Sequence, residues 1–305
     1  MKQSSADTAG LLMVAGGALL FGLKAVLVKL VYAQQVDYDS LVLLRALLAT
    51  GLFFLWAAWR GALPAIRRAP PTATLAALGA GGLCYGLGSL LDFYALTLID
   101  AGLERALLFV YPAMVVVAAA IITRRAPGRT VVAASLMTWS GVALAVGLFD
   151  QGMGTANLVG SACVLLTAAT FATYFLVSER QVPIIGPVAF TTLALLGSAL
   201  VVSLWYFPTH QSWPVVPTIE GWGLILALST VATVLPMLMI AEGIRRVGAV
   251  RGALVGTIGP PFTIAVAWLL LDERLSMTQL AGTALIVGGI LVVELVRLRR
   301  PAASS

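Results

Sequence analysis

Charge is scarce in this chain. Asp, Glu, Lys and Arg together make up 10% of its 305 residues, against about 25% in soluble domains, so a solvated globular surface is excluded. Histidine occurs once, as His210. Without a second one there is no His-Glu-x-x-His metal pair and no histidine network for general-base work. Two cysteines, Cys84 and Cys163, lie inside apolar segments and suggest neither a disulfide framework nor a metal site. Gly-x-Ser-x-Gly and Walker-type phosphate loops are also missing. Nothing positions a nucleophile, no cofactor is implied, and an enzyme is not expected.

What the chain has instead is apolar length: 60% hydrophobic residues and a mean hydropathy of +0.99. A helix needs about 20 apolar residues to cross a bilayer, and a barrel strand about 10 with strict alternation. The runs here are long and do not alternate, so they read as helices. Ten are expected: Thr8 to Tyr32, Ser40 to Trp59, Thr72 to Leu98, Ala101 to Thr123, Thr130 to Leu148, Leu158 to Val177, Val188 to Phe207, Gly221 to Glu242, Ala249 to Leu271 and Thr278 to Val296. Proline, glycine and charge punctuate the gaps, as at Arg67-Arg68-Ala69-Pro70-Pro71, Pro127-Gly128-Arg129 and Asp272-Glu273-Arg274. The first run is too long for a signal peptide and carries Lys24 and Lys29.

With the N-terminus in the cytoplasm, the inner loops and tails collect 14 of the 19 basic residues, and the outer loops only Arg105 and Arg274. That asymmetry predicts that both termini are cytoplasmic. The basic excess therefore reports topology and gives no reason to expect a nucleic acid partner. Three cations remain inside the first two spans: Lys24, Lys29 and Arg45.

Sliding the chain against itself by about 148 residues brings Pro112 onto Pro260, Arg124 onto Asp272 and Gly141 onto Gly289. Two repeats result, 1–152 and 153–305, together forming one transport domain. Each holds five helices, an odd number, so the second enters the membrane from the opposite side. Such inverted repeats are the architecture of many secondary transporters, in which the halves rock about a site near the midplane.

The stretch Leu269 to Ser276, followed by Gln279-Leu280-Ala281-Gly282 and Gly288-Gly289, resembles the ending of each repeat in the EamA-type branch of the drug/metabolite transporter superfamily. Phe21-Gly22, Tyr94-Ala95, Pro112 and Pro260 fit the same pattern, from about Leu11 to Val296. The chain departs from it at Thr123-Arg124-Arg125-Ala126, where an acidic turn is usual, and at Phe21, where tryptophan is common. The resemblance implies a ten-helix carrier that exports or exchanges small metabolites around a central cavity. It carries no fixed substrate signature.

Candidate site residues come from what is costly inside a membrane. Lys24, Arg45 and Asp92 are ionisable groups within spans, and such groups mark a pathway or a buried pair. Glu104 and Arg105 open the fourth helix. Asp92 and Glu104 are the candidates for proton coupling. The alternative is that Lys29, Glu104 and Arg105 snorkel to the interface and that Asp92 pairs with Arg45 to brace the bundle. Tyr85, Tyr111 and Tyr174, with Phe21, Phe171 and Trp268, stand at mid-span depth, suited to an apolar cavity with polar handles or simply to packing. Pro112 and the run Gly256-Thr257-Ile258-Gly259-Pro260-Pro261 interrupt the fourth and ninth helices at repeat-related positions, and Pro236 kinks the eighth. Gly82 and Gly86, and Gly248, Gly252 and Gly256, recur at the four-residue spacing of close helix contacts.

The expectation is an all-α carrier in a bacterial inner membrane, working by alternating access on small amphipathic metabolites, amino acids (aromatic ones included) foremost. Drugs, nucleosides or phosphorylated sugars are the alternative cargo, and a lipid-modifying enzyme or assembly subunit the alternative class. The expected partners are a small-molecule substrate and the lipid bilayer. The sequence leaves oligomeric state open and is compatible with a monomer.

Overall fold

The computed structural model describes residues 2–124, 128–146, 154–247 and 255–299. The expected repeat boundary at 152/153, together with Pro127, Gly248 and Gly252, lies outside them. Among the described residues the regular elements are helical and no strand occurs. The first half contains α1 (Lys2–Gly22), α2 (Lys24–Tyr32), α3 (Tyr38–Trp59), the short α4 (Leu63–Arg67), α5 (Pro71–Gly81), α6 (Gly88–Ala95), α7 (Ala101–Leu108), α8 (Tyr111–Thr123) and α9 (Arg129–Val146). The second contains α10 (Thr155–Ile185), α11 (Pro187–His210), α12 (Ile219–Ser229), α13 (Leu235–Val247), α14 (Gly259–Leu271) and α15 (Met277–Arg299). A π-helical turn, Gly82–Leu87, joins α5 to α6, and another, Thr230–Val234, joins α12 to α13.

Among the described residues seven helical segments are long and apolar enough to cross a membrane: Thr8–Tyr32, Tyr38–Trp59, Pro71–Ala95, Ala101–Ile122, Thr155–Ile185, Pro187–His210 and Ile219–Ile240. Three further apolar helices, Val132–Val146, Gly259–Leu271 and Met277–Val292, are shorter. Large apolar side chains such as Leu55, Leu75, Leu200, Leu204 and Leu270 stand outward and exposed, an arrangement costly in water and natural in hydrocarbon.

The breaks within spans have identifiable causes. A proline ring clashes with the carbonyl four residues earlier. Pro112 therefore ends α7 at Leu108, with Phe109 and Val110 forming the turn before α8. Pro260 acts likewise on the turn at Thr257 and Ile258 that precedes α14. Upstream of Pro236 the wider π-helical turn takes up the misfit. The first span breaks at Leu23 without a proline; there Thr263 Oγ1 of α14 donates to the Gly22 carbonyl at 2.9 Å, satisfying the group that the break exposes.

The two halves echo one another at a constant offset. The π-helical turns begin at Gly82 and Thr230, α8 and α14 run from Tyr111 to Thr123 and from Gly259 to Leu271, and both helices close on a left-handed residue, Arg124 and Asp272, each with φ 52°. Every pair is 148 positions apart. Small residues then let backbones meet, as association between membrane helices requires in the absence of a hydrophobic drive. A Cβ on Gly141 of α9 would lie 2.6 Å from the Gly282 carbonyl oxygen of α15, and one on Gly289 would lie 2.7 Å from the Ala134 carbonyl oxygen. As the α9 number rises the α15 number falls, so this pair runs antiparallel. Elsewhere Val28, Leu41, Phe93, Ile225 and Leu228 form a wholly buried core joining α2, α3, α6 and α12. It lies directly beside the buried charges of α2, α3 and α6.

Candidate functional site

The break at Leu23 places Lys24 at the head of α2, 5% exposed and pointing inward. Its ammonium donates to Asp92 of α6 and, at 3.1 Å, to Glu104 Oε1 of α7. Both carboxylates are buried, Glu104 completely, and they share the Lys24 ammonium. Among the described residues Lys24 is the only cation within ion-pair distance of either. One oxygen of each acid, Asp92 Oδ1 and Glu104 Oε2, has no partner. Such atoms are costly in a low-dielectric interior unless a proton, water or ligand joins them.

Arg45, buried on α3, makes no contact pair with Asp92. Its Nη2 donates to Ser89 Oγ at 2.6 Å and to the Tyr85 carbonyl at 3.4 Å, its guanidinium lies 5.1 Å from the Phe93 ring centre, and its Nε is unpartnered. The Tyr85 carbonyl belongs to the π-helical turn, so the irregular backbone sits against the buried cation, where membrane-embedded proteins tolerate it. Arg105 is also buried rather than snorkelling; it packs 4.9 Å from the Phe21 ring centre. A Cβ at Gly259 would approach its Nη2 to 2.9 Å, so glycine makes room for it at the start of α14.

These groups surround an interior cavity lined by Lys24, Arg45, Tyr85, Ser89, Asp92 and Phe93 with Phe21 from the first half, and by Thr167, Phe171, Thr233 and Met237 from the second. In this conformation it has room for about one water molecule. On one side Tyr85 packs against Phe171 and Tyr174, with ring centres 5.8 and 5.0 Å away, and Tyr174 in turn meets Phe190 at 5.4 Å. On the other side the Tyr32 hydroxyl donates to the Phe93 carbonyl at 2.7 Å. Beyond Tyr32 lies a vestibule of about 400 Å³ lined by Lys29, Tyr32, Val36, Asp37, Tyr38, Leu96 and Thr97. Lys29 is bound to Glu273 of the turn after α14, and the second oxygen of Glu273 accepts the Ala101 N–H at 2.7 Å, at the N-terminus of α7.

Of the residues singled out from sequence, Phe21, Lys24, Arg45, Tyr85, Asp92 and Phe171 face this cavity, whereas Trp268 stands exposed on the outside of α14. Tyr174 stands behind Tyr85, and Tyr111 stacks on Phe175 with ring centres 5.0 Å apart. Thr257 is buried at the turn before α14, and Pro112, Pro236, Gly256, Gly259 and Pro260 occupy the helix interruptions, away from the lining. Ser89, Phe93, Thr167 and Thr233 were missed. Spacing carried a signal for three of them. Tyr85, Ser89 and Asp92 follow one helical face, as do Thr167 with Phe171 and Thr233 with Met237. His210 ends α11 exposed at the surface, stacked on Tyr206 with its Nε2 3.1 Å from Asp39.

Comparison with known proteins decides the family. The model of the EamA-like transporter family matches twice, over residues 8–147 and 158–295. The chain belongs to the EamA-like transporter family. It is a multi-pass membrane transporter and not an enzyme. "Uncharacterized transporter YcbK" of Bacillus subtilis is 30% identical over 298 residues, covering 96% of this chain and 93% of that protein. "Uncharacterized transporter sll1319" of Synechocystis is 25% identical over 222 residues, covering 72% of this chain and 66% of that one. A solved crystal structure, 19% identical, superposes with a TM-score of 0.66 over 96% of this chain and 99% of its own. At that identity the likeness is one of fold.

Proposed function

We propose that this EamA-like protein is a secondary transporter that exports or exchanges small amphipathic metabolites, amino acids in particular, across a bacterial inner membrane by alternating access. The observation that carries the substrate class is a complementary pair of unsatisfied atoms on one cavity wall. Arg45 Nε is a donor without an acceptor, and Asp92 Oδ1 an acceptor without a donor. An α-amino acid supplies a carboxylate for the first and an ammonium for the second. The aromatic rings of Phe21, Tyr85, Phe93 and Phe171 offer an apolar surface for its side chain. Lys24 is already engaged by two carboxylates, so Arg45 is the better partner for the solute's carboxylate.

In this reading the chain crosses the membrane ten times, in two inverted halves (1–152 and 153–305) with both termini in the cytoplasm. Support comes from the constant offset of 148 between matching breaks, caps and π-helical turns, from the antiparallel α9–α15 pair, and from a family model that matches each half separately. Asp92 and Glu104 are the proton-coupling groups: both are buried on the Lys24 ammonium, and each keeps an orphaned oxygen that a proton would satisfy. Purified protein in liposomes is expected to exchange labelled amino acids by counterflow. Lack of counterflow across the amino acids, with activity on nucleosides, phosphorylated sugars or drugs, overturns the substrate class.

A further inference from the structure

The vestibule holds the one cation of the first two spans left over by the central site, Lys29, and that cation is occupied by a residue from the other half of the chain. Glu273 bridges the Lys29 ammonium and the Ala101 N–H, tying the turn after α14 to α2 and α7 at once. The bridge is mostly sheltered, with side-chain exposures of 20% for Lys29 and 11% for Glu273. Asp100 adds a weaker contact to Lys29 at 3.9 Å. Beside it, the Tyr32–Phe93 hydrogen bond separates vestibule from cavity: Tyr32 lines the first and Phe93 the second. Lys29 and Asp37 thus offer the vestibule one cation and one carboxylate, the polarity the central cavity presents through Arg45 and Asp92.

We propose that the vestibule is a second, transient site for a solute bearing a carboxylate and an ammonium, and that solute capture there opens the gate. The solute's carboxylate takes Lys29 from Glu273 while Asp37 takes its ammonium. Losing Lys29 frees α2, with Tyr32 at its end, to swing from Phe93 and connect vestibule to cavity. Glu273 is then an internal stand-in for the solute, and it keeps the gate shut when the vestibule is empty. The inference rests on the transport reading above for the solute's identity, but the latch itself does not depend on it.

Thr233, which lines the cavity, reports the opening when replaced by cysteine and exposed on intact bacterial cells to a membrane-impermeant thiol reagent, with the chain lacking Thr233→Cys as the blank. Glu273→Gln keeps an acceptor for the Ala101 N–H and removes the charge that holds Lys29. It is expected to raise the labelling rate about tenfold, in line with loss of one charge-assisted contact. Lys29→Met should raise it similarly. External leucine should speed labelling with Lys29 and Glu273 intact and add little to either variant, while 3-methylbutylamine, which lacks the carboxylate, should have no effect on any of them. Unchanged labelling in both variants overturns the latch. Raised labelling in the variants with no response of the parent to leucine overturns the vestibule as a solute site. Absent counterflow alongside raised labelling in the variants condemns the amino acid reading and leaves the latch standing.

Discussion

Replacing Arg45 tests the central site most directly, because the structure separates its roles. The guanidinium spends Nη2 on Ser89 Oγ at 2.6 Å and on the Tyr85 carbonyl, rests on Phe93, and leaves Nε without a partner in a side chain that lines the cavity. A solute carboxylate at Nε gains one charge-assisted hydrogen bond, about 1.5–3 kcal/mol. At about 1.4 kcal/mol per tenfold, Arg45→Met should raise the half-saturation concentration for an amino acid by roughly 10- to 150-fold. Arg45→Lys keeps the charge but not the fork. Its ammonium must choose between Ser89 and the solute, so a loss of roughly tenfold is expected. The decarboxylated amine of the same side chain never meets Nε and should be transported with unchanged half-saturation in all three proteins. The assay is counterflow of both solutes in liposomes, with thermal melting in detergent to confirm that each variant is folded. An equal loss for acid and amine refutes the reasoning and makes Arg45 a structural cation.

Other contacts give further expected outcomes. Lys24→Met removes the ammonium from two buried carboxylates, so thermal melting should register a loss of about 3–5 kcal/mol, the cost of breaking a buried pair from one side. Glu104→Gln should abolish acceleration of transport by an imposed pH gradient while counterflow, which needs no coupling, persists; Asp92→Asn should lose that acceleration and also weaken amino acid counterflow, because it removes the charge proposed to take the solute's ammonium. Gly81→Leu should abolish folded protein on size exclusion, because a Cβ there overlaps the Ala194 carbonyl of α11, whereas Gly51→Ala, with open space around it, should be neutral. Tyr32→Phe deletes the hydroxyl that bonds Phe93 and should speed thiol labelling of the cavity by roughly 2- to 10-fold.

Every apolar run read from the sequence has an apolar helix in the structure, because hydropathy over 13 or more residues is a local property that tertiary contacts do not alter. Proline was equally legible: Pro112 and Pro260 mark breaks because ring and carbonyl collide within one turn. The break at Leu23 was not, since no residue there forbids a helix and the carbonyl it frees is answered by Thr263, 241 positions away. Azimuth was the harder problem. Tyr85 and Tyr174 have the same composition-level claim on a cavity, yet one lines it and the other packs behind. Each lies one helical turn from a lining residue, Tyr85 from Ser89 and Tyr174 from Phe171, so which of them faces the cavity is set by how α10 packs against α6 and not by the periodicity of either helix. The partner of Asp92 escaped for a similar reason. Arg45 and Lys24 were both available, and only the cross-membrane alignment of α2 with α6 selects Lys24.

The glycine seam between α9 and α15 has a consequence for how the molecule can be assembled. Gly141 facing Gly282 and Gly289 facing Ala134 are one contact seen twice, each the image of the other under the 148-residue offset. A surface that is its own complement is what closes a two-fold dimer. If the proposed division into repeats 1–152 and 153–305 holds, two polypeptides cut at that point are expected to find each other without a peptide bond between them, which co-expression and co-purification of the two halves checks.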